Sequence, residues 1–254
     1  MLFNQNVYVG IDLTGRKAFT YAALNADLKP LALAEGELDD FLSFIGGQSQ
    51  AFVAINAPAR PNQGRVRALL EAENLTKSPM PPRGSDMRLA EYELRLRGIK
   101  IAATPSRPEL CPAWMRAGFS LYEKLGDLGF QPYPSEGDSH QMLETHPQAA
   151  FLAMADGRLF PLSALEGRLQ RQTILYGEGL KIRDPMEFFE EITRHRLRQG
   201  VLPLEQIYSS SQLNAFLAAY TAYLAAENPA ELTAFGDADE GKIYLPVKEL
   251  KGKY

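Results

Sequence analysis

Three polar residues stand where a sheet-based binding site would be built. Asp12 closes the apolar, β-rich run Val7–Asp12 (VYVGID). Asn56 follows the apolar run Ala51–Ile55 (AFVAI). Glu144 lies in Gln141–Thr145 (QMLET), just before His146-Pro147. In open α/β sheets ligands bind beyond the carboxyl ends of the strands, and each of these residues falls at such an end. His146 is next to a candidate acid, the setting of a proton donor or of a group beside a metal. Gly10-Ile11-Asp12-Leu13-Thr14-Gly15 also reads as a loop whose backbone amides and threonine would cradle a phosphate. Each motif alone has an ordinary explanation. An aspartate after a strand commonly caps a turn, a histidine at a helix start is commonly a surface residue, and Asn214 in an apolar helix is commonly satisfied by its neighbours.

The elements that must position these residues follow from pattern. Val7–Asp12 and the segment 18–24 form a hairpin across the turn 13–16, and 29–35 supplies a third strand. Leu38, Phe41 and Phe44 have helical spacing over 37–44. Ala51–Ile55 is a short, wholly apolar run, the look of a buried parallel strand. Residues 59–86, rich in Pro, Gly, Arg and Ser, form a long loop around one helix at 66–73. Helices follow over 88–98, closed by Gly98, and over 113–128. Gln141–Thr145 is a strand, and Pro147 suits the first turn of a helix through Met154. Residues 160–200 are helical and connect the two halves. Ser209–Ser211 offers an N-cap for the apolar helix 212–227. Residues 241–247 form an edge strand, because Pro246 suits an edge. Mixed strand directions with alternating helices predict an α/β chain, a mixed sheet with helices on both faces. It reads as one domain over 1–254, with a loop and helical insertion around 59–140.

Composition narrows the class. The chain has 254 residues, 45% of them hydrophobic and 23% charged, enough for a large core without staples. Its one cysteine, Cys111, excludes an internal disulfide and fits a reducing compartment. The N-terminus lacks a basic start before an apolar run, so no signal peptide is expected. No apolar run is long enough to cross a membrane, and the expected location is cytoplasmic. The net charge of −4 argues against a protein that grips nucleic acid over its whole surface. Locally, Arg60–Lys100 holds nine Lys/Arg against five Asp/Glu, either a phosphate-binding patch or a solvated helix face.

Six segments taken in order resemble the DUF429 family, described as predicted nucleases of ribonuclease H fold. They are VGIDLTGR (Val9–Arg16), VAINAP (Val53–Pro58), RLAEYELRLRGI (Arg88–Ile99), LETHPQAAF (Leu143–Phe151), LNAFLAAYTA (Leu213–Ala222) and DEGKIYLP (Asp239–Pro246). The resemblance implies a ribonuclease H-like fold and a metal-dependent phosphodiesterase site. Four residues would form it: Asp12, Asn56, Glu144 and Asn214. Asp12 and Glu144 would hold Mg²⁺ or Mn²⁺, hard cations that take carboxylate and water oxygens. In a two-metal site the ions activate the attacking water and stabilise the leaving oxygen. The resemblance also brings the helix of Arg88, Glu91 and Arg95 to the cleft, where Arg88 or Arg95 would meet a phosphate. Arg60 and Arg83 in the long loop, and His146, are further candidates for the substrate.

This chain departs from the family's pattern at two positions. Asn56 and Asn214 stand where acids are expected. Two unit charges are therefore missing, and a unit charge about 4 Å from a dication is worth roughly 8 kcal/mol before dehydration. The expected protein is thus nuclease-related with a degenerate acidic site. A binding protein for nucleic acid or protein that keeps the fold is the first alternative. An ATPase or kinase of the actin/hexokinase type, which shares the G-x-D-x-T-G loop, is the second.

Overall fold

The computed structural model describes residues 6–13, 19–73, 84–155 and 157–254, with the backbone alone at Glu73 and His195. Strands β1 (Val7–Asp12), β2 (Thr20–Leu24) and β3 (Pro30–Glu35) form an antiparallel meander. Strand β4 (Ala51–Asn56) pairs parallel with β1, and β6 (His140–Thr145) parallel with β4. The two-residue β5 (Gln131–Pro132) runs beside the first half of β6. Beside the second half lies β8 (Gly241–Leu245), parallel to β6, and β7 (Thr233–Asp237) closes that edge antiparallel to β8. The order is β3-β2-β1-β4-β6-β8-β7. All six residues of β1 are buried, as expected of a strand covered on both faces.

Helices cover both faces. One layer holds α1 (Leu38–Gly46) and α4 (Ala113–Asp127), whose Phe41, Ile45, Leu121 and Leu125 pack with Val9, Ile11, Val53 and Ile55. The other is built on α8 (Ser210–Glu227), which lies against β1, β2 and β4. Around α8 gather α3 (Leu89–Leu96), α5 (Pro147–Met154) and α6 (Leu165–Gly177). The remaining helices are α2 (Arg65–Glu73) and α7 (Pro185–Glu191). Ser209 caps α8 by accepting from the Gln212 amide at 3.2 Å, while the Gln212 side chain accepts from the Ser209 amide at 2.9 Å. This reciprocal pair satisfies two of the helix's free amides.

Gly10 explains how closely α8 approaches the sheet. A Cβ there would lie 2.0 Å from the Ala219 nitrogen and 2.1 Å from the Ala215 oxygen. Both are helix backbone and cannot yield as a side chain would. Gly10→Ala is expected to destabilise the protein by about 3 kcal/mol, the upper range for overpacking. Chemical denaturation checks this; a loss under about 1 kcal/mol would mean that α8 can slide.

Several expectations change. Residues 241–245 do not form an edge strand, since β8 is paired on both sides and Pro246 falls just beyond it. The edge is β7, which the sequence reading leaves out, as it does β5. The segment 160–200 is largely helical, as expected, but in pieces: α6, then α7 followed directly by a π-helical turn at Ile192–Arg196 and a short helical turn at Leu197–Gln199. The hairpin's second strand starts at Thr20, and α3 starts at Leu89.

Candidate functional site

The strand ends bring the expected residues to one end of the sheet but divide them into two groups. Along a strand, side chains alternate between faces. Asp12 shares a face with Gly10, the face under α8, and its register partner Asn56 turns the same way. Glu144 pairs in register with Ile55 and follows Met142, so alternation turns it to the opposite face.

The first group is centred on Asp12, which is fully buried. Asn56 Nδ2 donates to Asp12 Oδ1 at 2.7 Å, and Asn214 Nδ2 donates to Asp12 Oδ2 at 3.3 Å. A chain of contacts fixes the second amide. Arg171, buried on α6, donates to Gln148 Oε1 at 3.0 Å, and Gln148 Nε2 donates to Asn214 Oδ1 at 3.1 Å. A guanidinium only donates, so the Gln148 carbonyl must face it. That leaves the Gln148 NH₂ for the Asn214 carbonyl, and the Asn214 NH₂ for Asp12. Burial lowers the Arg171 pKa to about 10, which still leaves it charged at neutral pH.

The second group is an ion-pair network. Arg88 donates to both oxygens of Glu144, from Nη1 at 2.9 Å and from Nη2 at 2.5 Å. Its Nε donates to Glu91 at 2.8 Å, and the Ala59 amide donates to Glu144 at 3.2 Å. Glu91 also accepts from the Arg88 and Thr104 amides at 3.1 and 2.9 Å and from the Thr104 hydroxyl. Burial alone would lower the Arg88 pKa; Glu144 and then Glu91 outweigh it and hold the group above its usual range. Burial pushes the Glu144 carboxyl up, and Arg88 opposes that push. Nearby, the buried Glu240 carboxylate accepts from the Leu89 amide at 2.9 Å, the Gln63 amide at 2.8 Å and the Arg65 amide at 3.2 Å. It thereby satisfies the free amides that begin α2 and α3.

Between the groups lies a cavity of ≈ 200 Å³, lined among others by Asn56, Arg88, Glu144, His146, Gln148 and Asn214. Asp12 does not line it and sits behind the two asparagines. Arg95 does not line it either; its guanidinium turns to the Ile101 carbonyl at 2.9 Å. Arg83 of the long loop, and Thr14 and Gly15 of the phosphate-cradle motif, lie outside the described residues.

His146 caps α5, its Nδ1 accepting from the Ala149 amide at 3.1 Å. Burial and the nearby Arg88 lower its pKa to about 4, against the weaker pull of its own backbone. It is neutral at pH 7 and is not a cationic proton donor there. Because its folded pKa lies below the unfolded value, the unfolded chain binds the proton better. The associated stability is present above pH 6.5 and is lost as pH falls from 6.5 to about 4. The loss should reach up to about 3 kcal/mol. His146→Asn keeps a capping acceptor but cannot titrate. Urea unfolding at pH 7 and 4.5 should give a shallower pH dependence for the variant; equal slopes would refute the assignment.

The arrangement does not fit Mg²⁺ or Mn²⁺. A hard cation needs oxygens, yet both asparagines turn NH₂ groups toward Asp12, and Glu144 is committed to Arg88. Among the described residues no cluster of three or more His, Cys, Asp or Glu side chains could hold a metal ion. Sequence reasoning reached Asn56, Glu144, Asn214, Arg88, Glu91 and His146 as cavity or network residues. It missed Gln148, Arg171, Thr104 and Glu240. Glu240 lies inside the DEGKIYLP segment, and an acid before a turn glycine was its only signal.

Fold and site together define an α/β protein with a mixed eight-stranded sheet and a buried polar cavity at its strand ends. A family model described as "Protein of unknown function (DUF429)" matches residues 10–240, and the chain belongs to this family. No curated protein and no solved structure matches it. Among the described residues, no helix is long and apolar enough to cross a membrane.

Proposed function

We propose that this is a ribonuclease H-like, nuclease-related protein, acting in the cytoplasm, whose cleft binds nucleic acid without metal-dependent hydrolysis. The β1–β3 meander leading into parallel β4 and β6, with acids ending β1 and β6, supports the fold half of this reading. One observation carries the functional half: the donors around both acids take the place a cation would need. Asp12 accepts from two carboxamides, and Glu144 holds Arg88 with both oxygens. The exposed cations Arg60, Arg95 and Lys100 support a polyanionic ligand. Arg65 and Arg67 contribute less, being paired with Asp237, Asp239 and Glu71.

The test combines a gel shift with a cleavage assay on mixed single- and double-stranded DNA and RNA. The expected result is a shift that weakens as salt rises, with no cleavage in Mg²⁺ or Mn²⁺. Absence of a shift at low salt would remove the nucleic-acid reading. Metal-dependent cleavage, lost in Asp12→Ala, would restore the hydrolase.

A further inference from the structure

A second and larger cavity, ≈ 700 Å³, opens between α4, the β5–β6 edge and the β7–β8 turn. It shares Glu144 with the smaller cavity. Its walls are aromatic: Phe119 and Tyr122 from α4, Tyr133 after β5, and Tyr244 from β8. The last two are fixed against each other. Their rings meet edge to face at 5.1 Å, and the Tyr244 hydroxyl donates to the Tyr133 carbonyl at 3.1 Å. Arg60 and Lys242 stand exposed at the rim, with Glu123 beside them. Lys242 makes no ion pair among the described residues, and Arg60 spends one NH group on the Asp239 carbonyl at 3.0 Å.

Four aromatic side chains on one cavity favour a flat aromatic ring, which stacks on them where a branched aliphatic group would not. The Tyr122 hydroxyl plays no part in that choice: it is fully buried, out of a ligand's reach, and has no hydrogen-bond partner among the described residues. An anionic group on the same ligand would reach the exposed Lys242 and Arg60. The volume suits such a molecule, since small-ligand pockets run from about 300 to 1,000 Å³.

We propose that this cavity binds a nucleotide. The base lies among Phe119, Tyr122, Tyr133 and Tyr244, and the phosphate meets Lys242 and Arg60. The nucleotide is either free or the 5′-phosphorylated end of a single strand. This inference needs neither the metal chemistry nor the strand-binding reading given above, because a free nucleotide satisfies it.

Isothermal titration of the full chain tests it without added metal. The probes are the four nucleoside 5′-monophosphates, their nucleosides, inorganic phosphate and a 5′-phosphorylated tetranucleotide. At least one monophosphate should bind about tenfold or more tightly than its nucleoside and than inorganic phosphate. Lys242→Ala, at an exposed position, should erase the gap between monophosphate and nucleoside. Phe119→Ala, which removes one stacking wall, should weaken both by about fivefold, with melting temperature read alongside to confirm folding. A tetranucleotide that binds more tightly than the monophosphate identifies the strand end as the source; the reverse identifies the free nucleotide. The proposal fails if no monophosphate or tetranucleotide binds at millimolar concentration. It also fails if Lys242→Ala leaves the affinities unchanged.

Discussion

Replacing Asn56 and Asn214 together by aspartate is expected to lower the melting temperature sharply in EDTA, and Mn²⁺ should restore much of it. Each asparagine now donates to one oxygen of Asp12, at 2.7 and 3.3 Å. The double variant would turn both donors into carboxylates facing a third in a fully buried position. Like charges about 3 Å apart repel by roughly 5 kcal/mol per pair at an effective dielectric of about 20, before relaxation. The carboxyls would respond with raised folded pKa values. Their contribution would therefore be intact at low pH and lost as pH rises through those values, the reverse of the His146 effect. Three convergent carboxylates are also a hard-cation site. Metal at a hundred times its Kd stabilises by about 2.7 kcal/mol, or roughly 5–10 °C in a protein of this size. The wild type should shift by less than about 1 °C, because its amides offer NH₂ groups where a metal needs oxygen. Thermal melts at pH 5 and 8, with EDTA or Mn²⁺, decide the matter. If Mn²⁺ leaves the double variant where EDTA put it, the strand-end cluster lacks the geometry of a metal site even with its acids restored.

The frame of the sheet is legible in the sequence because its signals are local. Val7–Asp12 and Ala51–Asn56 are unbroken apolar runs that end on a polar residue, and Ser209 announces α8 three residues before Gln212 reaches back. The region of β8 is misread for an equally local reason. Pro246 suggests an edge, yet it lies one residue past the strand and leaves the ladder intact. Strand β7 (TAFGD) carries a glycine with φ 91° and polar ends, so its composition resembles a loop. Pairing with β8 across a tight turn makes it a strand. In the site, the Arg88–Glu91 half of the network follows from helical spacing. The Glu144 half joins residues 56 positions apart, and no periodicity carries that information. The same holds for Gln148 and Arg171, 23 positions apart, whose contact decides which face of Asn214 meets Asp12. Sequence gives the residue types at the strand ends, but only the assembled fold gives the direction of each amide.

Arg88→Met is expected to destabilise the protein by about 3–5 kcal/mol at pH 7, the range for removing one partner of a buried ion pair. Arg88 is 1% exposed and touches Glu91 on its own helix, Glu144 at the end of β6 and the Glu240 carbonyl at 3.3 Å. Methionine fills part of the volume but leaves two buried carboxylates without their cation. The folded pKa of Glu144, already pushed up by burial, would rise further above its unfolded value near 4.3 once Arg88 is gone. The variant should therefore come closest to wild type at about pH 4–5 and lose ground as pH rises through that folded value. Adding Glu91→Gln and Glu144→Gln removes the stranded charges and should recover at least half of the loss at pH 7. Urea unfolding of the wild type, the single variant and the triple variant across this range separates charge from packing. A single variant within about 1 kcal/mol of wild type at pH 7 would mean that water already screens the pair. Glu144 would then be available to a cation, and the case against metal binding would rest on the asparagines alone. A large loss with charge-dependent recovery gives Arg88 the position a divalent ion would otherwise take. A covalently attached cation cannot dissociate or activate water as a bound metal does, so on the proposed reading the residue that stabilises this end of the sheet also accounts for binding without cleavage.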